Sequence, residues 1–389
     1  MTAPGGGPRT AARWLPWFVL GNALFWALLW ASQAMKGATR DWRHFHDMAR
    51  LVLAGRANEI YPGYTPGLPF IHPPYAVWPF VPLGLLSEGG SYLVCTLSTV
   101  LAMAGALLLL RRALPGQRRQ FATGALLALG SPSWTTMMAL GQVSSWYLLV
   151  VCAGLSLWMR GRRGWAGAIL SLLMFKPNIG AVFPLLFLAR RQGRLLGGWL
   201  AGMLLLLAST LPLGPGVWRN YVRSVRTMSG IIERIPVWKQ HTLVAFWHSF
   251  VHRPALLAAL WATSALPLAA ATGWAWLRAD LDASNLPRLF GVTVLMIVTC
   301  SPYLHHYDAL LLTLPGLVWY LDRGSYRSAT LRAVGGAALL AAYLIQEVSL
   351  WLIEGGWSLV GPAVAVWLVA ELLDLARARA ERPAQVESD

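Results

Sequence analysis

The stretch SPYLHHYD, residues 301–308, sets His305, His306, Tyr307 and Asp308 between the apolar runs Leu289–Cys300 and Ala309–Trp319. A charge or imidazole at such a place costs several kcal/mol unless it is paired or wetted, so it marks a site or a pathway. Imidazoles titrate near neutral pH and can exchange a proton or meet an anion. Other groups with chemistry stand beside apolar stretches in the same way: Asp41 opening DWRHFHDMARLVLAG, His72 in HPPY, Gln142 in LGQVSSW, Lys176 in FKPN, and Gln240-His241 in KQH. Each also has a plain reading. Asp41 can be a helix N-cap, for which Asp is well suited, or a carboxylate held at the mouth of a cavity. Lys176 can snorkel from the end of a span, although its place beside Pro177 between two short spans favours a site. Gln142 can bridge helices. Asp308 can pair with either histidine or with an outer arginine. Adjacent helical residues point about 100° apart, so at most one of His305 and His306 is expected to face a cavity.

The elements that must position these groups follow from composition. Of 389 residues, 56% are hydrophobic and 12% charged, about half the charged share of a soluble protein. Several apolar stretches approach or exceed the roughly 20 residues that cross a bilayer. The chain therefore reads as an all-α, polytopic membrane protein. Its net charge of +16 points to arginine-rich cytoplasmic loops rather than to nucleic acid. Cys95, Cys152 and Cys300 all lie inside apolar runs and make no disulfide framework. Residues 14–34 are too long for a cleaved signal peptide and lack a small-x-small site, so a retained anchor is expected.

Twelve spans fit the apolar pattern: 14–34, 91–110, 120–134, 141–159, 164–176, 178–190, 195–213, 255–277, 289–301, 304–321, 333–353 and 357–375. With residues 1–13 and the tail 376–389 in the cytoplasm, residues 14–375 form one transmembrane domain. The inner loops then hold Arg111, Arg112, Arg118 and Arg119, later Arg160, Arg162 and Arg163, then Arg190, Arg191 and Arg194. Arg278, Arg288, Arg323, Arg327 and Arg332 follow the same rule, that positive charge stays inside. Pro73–Leu86 would invert every later loop if counted as a span, so it reads as an interfacial or re-entrant helix on the outer side. All eight histidines (His44, His46, His72, His241, His248, His252, His305, His306) and all three lysines fall outside. The working surface is thus expected on the extracytoplasmic side of a multi-pass cell-membrane protein.

Two outer loops are long, at about residues 35–90 and 214–254. In the first, Trp42, Phe45, Met48, Ala49 and Val52 recur at helical spacing, opposite Arg43, His44, His46, Asp47 and Arg50. That pattern suits an amphipathic helix lying on the membrane surface. In the second, Arg219, Arg223 and Arg226 share one helix face, a stripe able to hold anionic head groups or attract a phosphate-bearing substrate.

The segments DWRHFHDMARLVLAG, HPPYAVWPFVPLGLL, LGQVSSWYLLVVCAG, FKPNIGAVFPLLFLARRQGR, KQHTLVAFW and SPYLHHYDALLL occur in one order. In that conjunction, over about residues 14–375, the chain resembles glycosyltransferase family 87, the type C membrane glycosyltransferases that use polyprenyl-phosphate sugars, mostly mannose. The resemblance implies a GT-C fold of about twelve transmembrane helices with amphipathic helices on the outer face. It implies Asp41, in an Asp-aromatic motif, as the catalytic base. It maps the Pro-Pro motif onto Pro73-Pro74, with His72 in place of an aromatic and Tyr75 following. Gly141-Gln142, Lys176-Pro177 and Ser301-Pro302 with His305 and His306 carry its other motifs. The chain departs from the pattern at Val143-Ser144, where Val-Asn is usual, and at Lys239-Gln240-His241, where Asn-Gln-Ser is usual, so donor or acceptor choice is expected to differ.

Such a transfer needs a base for the acceptor hydroxyl, with Asp41 in that role. It also needs donors for the departing phosphate, for which Lys176, His305, His306 and the loop arginines are candidates. Displacement at the anomeric carbon by one activated hydroxyl inverts its configuration. A lipid monophosphate donor does not oblige a bound metal, unlike a nucleotide diphosphate sugar, so no metal or other cofactor is expected; the partners are a polyprenyl-phosphate sugar, a glycolipid or glycan acceptor and the bilayer, with no nucleic acid. Two rivals remain from other classes. A transporter or flippase fits broken helices and intramembrane polar groups, but no inverted repeat is evident and the inner halves of the spans look apolar. A metal site would need His44, His46, His72, His305 and His306 to converge, although His44 and His46 diverge on a helix. An assembly factor without catalysis is a third alternative.

Overall fold

The computed structural model describes residues 40–61, 72–114, 118–232, 236–282, 284–322, 326–351 and 357–380, with a few isolated positions besides. The expected first span, 14–34, and the end of the tail lie largely outside the described residues. Among the described residues the regular structure is helical, and an isolated antiparallel bridge joins Gln240 to His305.

Helix α1, Arg40–Leu53, is followed by 3-10 turns at Pro74–Val77 and Val81–Leu85. The continuous helix expected over Pro73–Leu86 is broken there because Pro73, Pro74, Pro79 and Pro82 lack N–H groups and clash with the preceding turn. The apolar face of α1 also lies elsewhere than expected. Trp42, Phe45, Met48 and Ala49 are buried against protein, not laid on a membrane surface. Phe45 stacks on Phe80 with centroids 4.4 Å apart, and Trp42 Nε1 donates to Ser91 Oγ at 2.9 Å. Gly84 admits the closest approach, since a Cβ there would sit 2.9 Å from that of Ala49. Helical periodicity fixes which face of α1 is apolar but not what covers it.

The chain then runs through α2 (Glu88–Ala113), α3 (Arg118–Leu129), α4 (Pro132–Leu140) and α5 (Ser144–Met159). Next come α6 (Arg163–Ser171), α7 (Val182–Ala189), α8 (Gly193–Ala208) and α9 (Pro215–Ile232). The series ends with α10 (Leu243–His248), α11 (Pro254–Arg278), α12 (Leu286–Cys300), α13 (Thr313–Leu321), α14 (Ala329–Trp351) and α15 (Val360–Ala380). Among the described residues four helices are long and apolar enough to cross a membrane: Glu88–Ala113, Gly193–Leu213, Pro254–Arg278 and Ala329–Val348. They turn rows of leucine outward, such as Leu93, Leu97 and Leu101 on α2 and Leu200, Leu204 and Leu205 on α8.

Other expected spans are shorter apolar helices: Ser144–Met159, Arg163–Phe175, Pro177–Ala189 and Leu286–Cys300. At about 1.5 Å per residue, 15 residues reach only about 22 Å, short of a hydrocarbon core of about 30 Å. Such a helix is tolerated where protein surrounds its ends. Helix α12 is the clearest case, because every one of its residues is buried. It stands at the centre, between α5, α11, α13 and α15. Trp276 Nε1 ties α11 to it through Thr293 Oγ1 at 2.8 Å, and Trp158 and Phe183 pack on its Phe290.

Helices α6 and α7 form a hairpin. Its feet meet where Arg163 Nη1 donates to Gln192 Oε1 at 3.4 Å. Its tip is the 3-10 turn Leu172–Phe175, Lys176 and the single helical turn Pro177–Gly180. A Cβ on Gly180 would lie 2.6 Å from the Leu173 carbonyl carbon, so only glycine lets the tip close this tightly. Helix α8 clasps α6 through small residues: Cβ atoms at Gly167 and Gly198 would come within 2.0 and 1.9 Å of the facing carbonyls of Leu195 and Gly164. Small residues let helix backbones touch where lipid supplies no hydrophobic drive between helices.

The inner halves are less apolar than the sequence suggests. At the end of α12 expected inside, Arg288 donates from Nε to Glu371 and from Nη2 to Asp374 on α15, both at 2.9 Å. Asp374 also accepts from the backbone N–H of Arg327 and of Ser328. Arg288 reads as a loop charge in sequence because its partners lie more than 80 residues away.

Candidate active site

At the opposite end of α12 four irregular segments meet. The first is the link between α4 and α5. Gly141 ends α4 with φ 70°, a left-handed conformation that Gly adopts without strain. A Cβ there would lie 2.7 Å from Trp42 Cβ, so the same glycine lets α1 approach. The next residue, Gln142, donates from Nε2 to Asp41 Oδ2 at 2.8 Å. Asp41 lies in the first turn of α1, and its carboxylate engages this partner 101 residues away.

The second segment is the hairpin tip. Lys176 is 6% exposed, and its ammonium pairs with Asp308 Oδ2 beneath the rings of Tyr147 and Tyr307. His72 Nδ1 donates to the Phe175 carbonyl at 3.0 Å, and Tyr75 Oη donates to the Met174 carbonyl at 3.0 Å. The third segment is Ser301–Asp308. Asn178, one residue past Pro177, donates to Ser301 Oγ at 3.0 Å and to the Tyr303 carbonyl, holding this turn to the tip. His305 is extended, not helical, and Tyr303 Oη is hydrogen-bonded to its Nε2. The argument that helical neighbours diverge therefore does not apply to His305 and His306. Both rings lie in the cluster, with centroids 6.3 Å apart.

The fourth segment, Lys239–His241, pairs with the third. Gln240 bridges His305, His241 N–H donates to the Leu304 carbonyl at 3.1 Å, and His306 Nδ1 donates to the Lys239 carbonyl at 3.2 Å. The electrostatic reach of Asp41 extends to Tyr303 and Tyr307, and that of Asp308 extends to both as well. The residues expected at the site are brought together pairwise: Asp41 with Gln142, His72 and Tyr75 with the hairpin tip that carries Lys176, and Gln240 and His241 with the segment of His305 and His306.

Asp308, which the sequence pairs with a histidine or an outer arginine, joins the segments. It is fully buried; Oδ1 accepts from Ser144 Oγ at 2.8 Å, and Oδ2 accepts from Lys176 and from the His305 N–H at 3.1 Å. Its partner is neither a histidine ring nor an outer arginine. A buried lysine and a buried aspartate in one sequence were the available signal, because each needs an opposite charge. Ser144, at the departure from the usual Asn, supplies the remaining bond.

Burial leaves the neighbouring imidazoles uncharged. It pushes the pKa of His72 down to about 4, helped by the charge of Lys176. It pushes that of His241 down to about 3, helped by His306. The remaining histidines lie apart. His46 is bonded through Nε2 to the Leu86 carbonyl at 3.1 Å, and His248 and His252 line a separate groove with Trp261 and Pro302. The five-histidine convergence required by a metal site does not form, and among the described residues no three His, Cys, Asp or Glu side chains are grouped as metal ligands.

A family model for glycosyltransferase family 87 matches residues 70–302, more than half of the chain. The chain belongs to glycosyltransferase family 87. No curated protein and no solved structure matches it. The matched stretch is shorter than the resemblance over 14–375. It contains His72, Tyr75, Gln142, Lys176, Gln240 and His241 of this family 87 glycosyltransferase, while Asp41, His305 and His306 lie beyond its ends. Geometry joins those three to it: Asp41 through Gln142, His305 through Gln240, and His306 through the Lys239 carbonyl.

Proposed function

We propose that this family 87 enzyme transfers a hexose, mannose in the first instance, from a polyprenyl phosphate to a hydroxyl of a glycolipid or glycan on the extracytoplasmic face. The observation that carries the reading is the contrast between two carboxylates a few side chains apart. Asp308 has its oxygens engaged by Ser144, Lys176 and the His305 N–H, whereas Asp41 is held by one neutral amide, that of Gln142. A general base needs a carboxylate oxygen free to take a proton from the attacking hydroxyl. Asp41 fills that role, and Asp308 does not.

In this mechanism Gln142 orients Asp41, and Asp41 takes the proton as the acceptor oxygen attacks the anomeric carbon. The bond from that carbon to the phosphate oxygen breaks, its electron pair leaves on the phosphate, and the configuration inverts. Lys176 and His305 face the departing phosphate. An ammonium has three donors; one is engaged by Asp308, and His305 Nδ1 has no partner. Donors aimed at developing charge lower the barrier because they need no reorganisation during the reaction. A phosphate monoester leaving group asks for no metal beyond these donors, and none is invoked. The isoprenoid tail stays in lipid while its head reaches the four segments that meet at the end of α12.

The test is transfer from labelled polyprenyl-phosphate mannose by membranes containing the protein, with the anomeric configuration of the product determined. Transfer with inversion supports the reading. Retention would require a second nucleophilic carboxylate and overturn the assignment of Asp41 as base.

A further inference from the structure

The segment Lys239–His241, paired with Leu304–His306, carries polarity that the transfer step does not use. Gln240 is 1% exposed, and its Oε1 accepts no hydrogen bond. His241 is 2% exposed, and its Nδ1 has no partner. His305 Nδ1, on the residue bridged to Gln240, also lacks one. Buried polar atoms in native proteins are nearly always satisfied, so each exception calls for an explanation.

The backbone around these atoms is firmly held. The Gln240 carbonyl accepts from Ser358 Oγ at 2.6 Å, the His241 N–H is tied to Leu304, and Thr242 Oγ1 accepts from Ala245 N–H at the start of α10. Unpaired side-chain atoms on a rigid frame are the arrangement of a preorganised binding site.

We propose that Gln240 and His241 form a subsite that reads the hydroxyl groups of a sugar ring, with His305 at its border toward the phosphate. The chemistry selects this ligand class. An amide oxygen only accepts, so a phosphate oxygen would be repelled by it, whereas a hydroxyl both donates and accepts. The neutral imidazole of His241 can likewise exchange bonds with a hydroxyl but offers no charge to an anion. Position agrees. The subsite abuts His305, which stacks on Tyr307 with centroids 4.9 Å apart, and Tyr307 lies within the electrostatic reach of Asp41.

This inference rests on the glycosyltransferase reading, and the experiment separates the two. Hexose epimers differing at one hydroxyl are compared by kcat/KM in two arms: polyprenyl-phosphate glucose against its C2 epimer mannose and its C4 epimer galactose with a fixed acceptor, and epimeric acceptors with a fixed donor. Wild type is compared with Gln240→Leu and His241→Leu. A site built to hydrogen-bond a hydroxyl discriminates strongly against ligands that leave its groups unpaired. The preference between epimers should therefore fall by about tenfold or more in one arm, and that arm identifies the ring being read. Each ratio comes from one preparation, so a loss of folded protein cancels. Unchanged ratios in both arms for both variants overturn the subsite while leaving the transferase reading standing. Failure of wild type to transfer from any polyprenyl-phosphate hexose overturns both.

Discussion

The two ends of α12 each hold a buried charged cluster, and the clusters differ in how completely they are satisfied. At one end Arg288 meets Glu371 and Asp374, Asp374 takes two backbone N–H groups, and Tyr326 Oη bonds Glu371. No buried side-chain polar atom of these four residues lacks a partner. At the other end Lys176 and Asp308 are paired, yet Gln240 Oε1, His241 Nδ1 and His305 Nδ1 have no partner, and Asp41 is held only by an amide. A saturated cluster fastens helices together. An unsaturated one, among short helices and broken turns, is equipped to receive a ligand. The comparison also bears on the transporter alternative: Arg288, Tyr326, Glu371 and Asp374, at the end expected inside, are consumed by one another.

The largest effect should come from breaking the saturated cluster. Arg288→Met strands two buried carboxylates and should cost about 3–5 kcal/mol of stability, read as a lower thermal midpoint, while the folded fraction keeps its donor KM. Loss of turnover with stability intact would show that this cluster is not merely a fastener. Lys176→Met strands Asp308 in the same way and should cost stability of similar order. Adding Asp308→Asn should restore stability but not transfer. If the double variant recovers transfer, the Lys176–Asp308 pair is structural too and the contrast between the ends weakens.

Smaller effects sharpen the picture. Ser144→Ala removes one hydrogen bond from Asp308 and should cost about 1 kcal/mol, measured by denaturation in detergent. His72 binds fewer protons folded than unfolded, because its folded pKa of about 4 lies below the ordinary value of 6.5. Its contribution is therefore fully present above pH 6.5 and is lost as pH falls toward 4. The slope of melting temperature against pH in that window should flatten in His72→Asn. An unchanged slope would mean the imidazole is not held neutral.

Much of this site was legible in the sequence, and the limits have physical causes. Each of the nine candidates stands beside an apolar run, and proline and lysine at 176–177 mark the hairpin tip that forms. The pairings were not legible: Asp41 with Gln142, Lys176 with Asp308 and Arg288 with Glu371 are contacts across 101, 132 and 83 residues. Nor could hydropathy show that α12 is jacketed by protein, since an all-apolar helix looks the same whether lipid or protein surrounds it. The surface reading of α1 failed for the same reason.

Asp41→Asn tests the central claim most directly. The amide is nearly the shape of the carboxylate and can still meet Gln142, but it cannot take a proton from the acceptor. The measurement is the transfer rate beside donor affinity for wild type and variant in one membrane preparation. The account predicts donor affinity close to wild type, with turnover lower by about two orders of magnitude or more. Wild-type turnover in Asp41→Asn would contradict it.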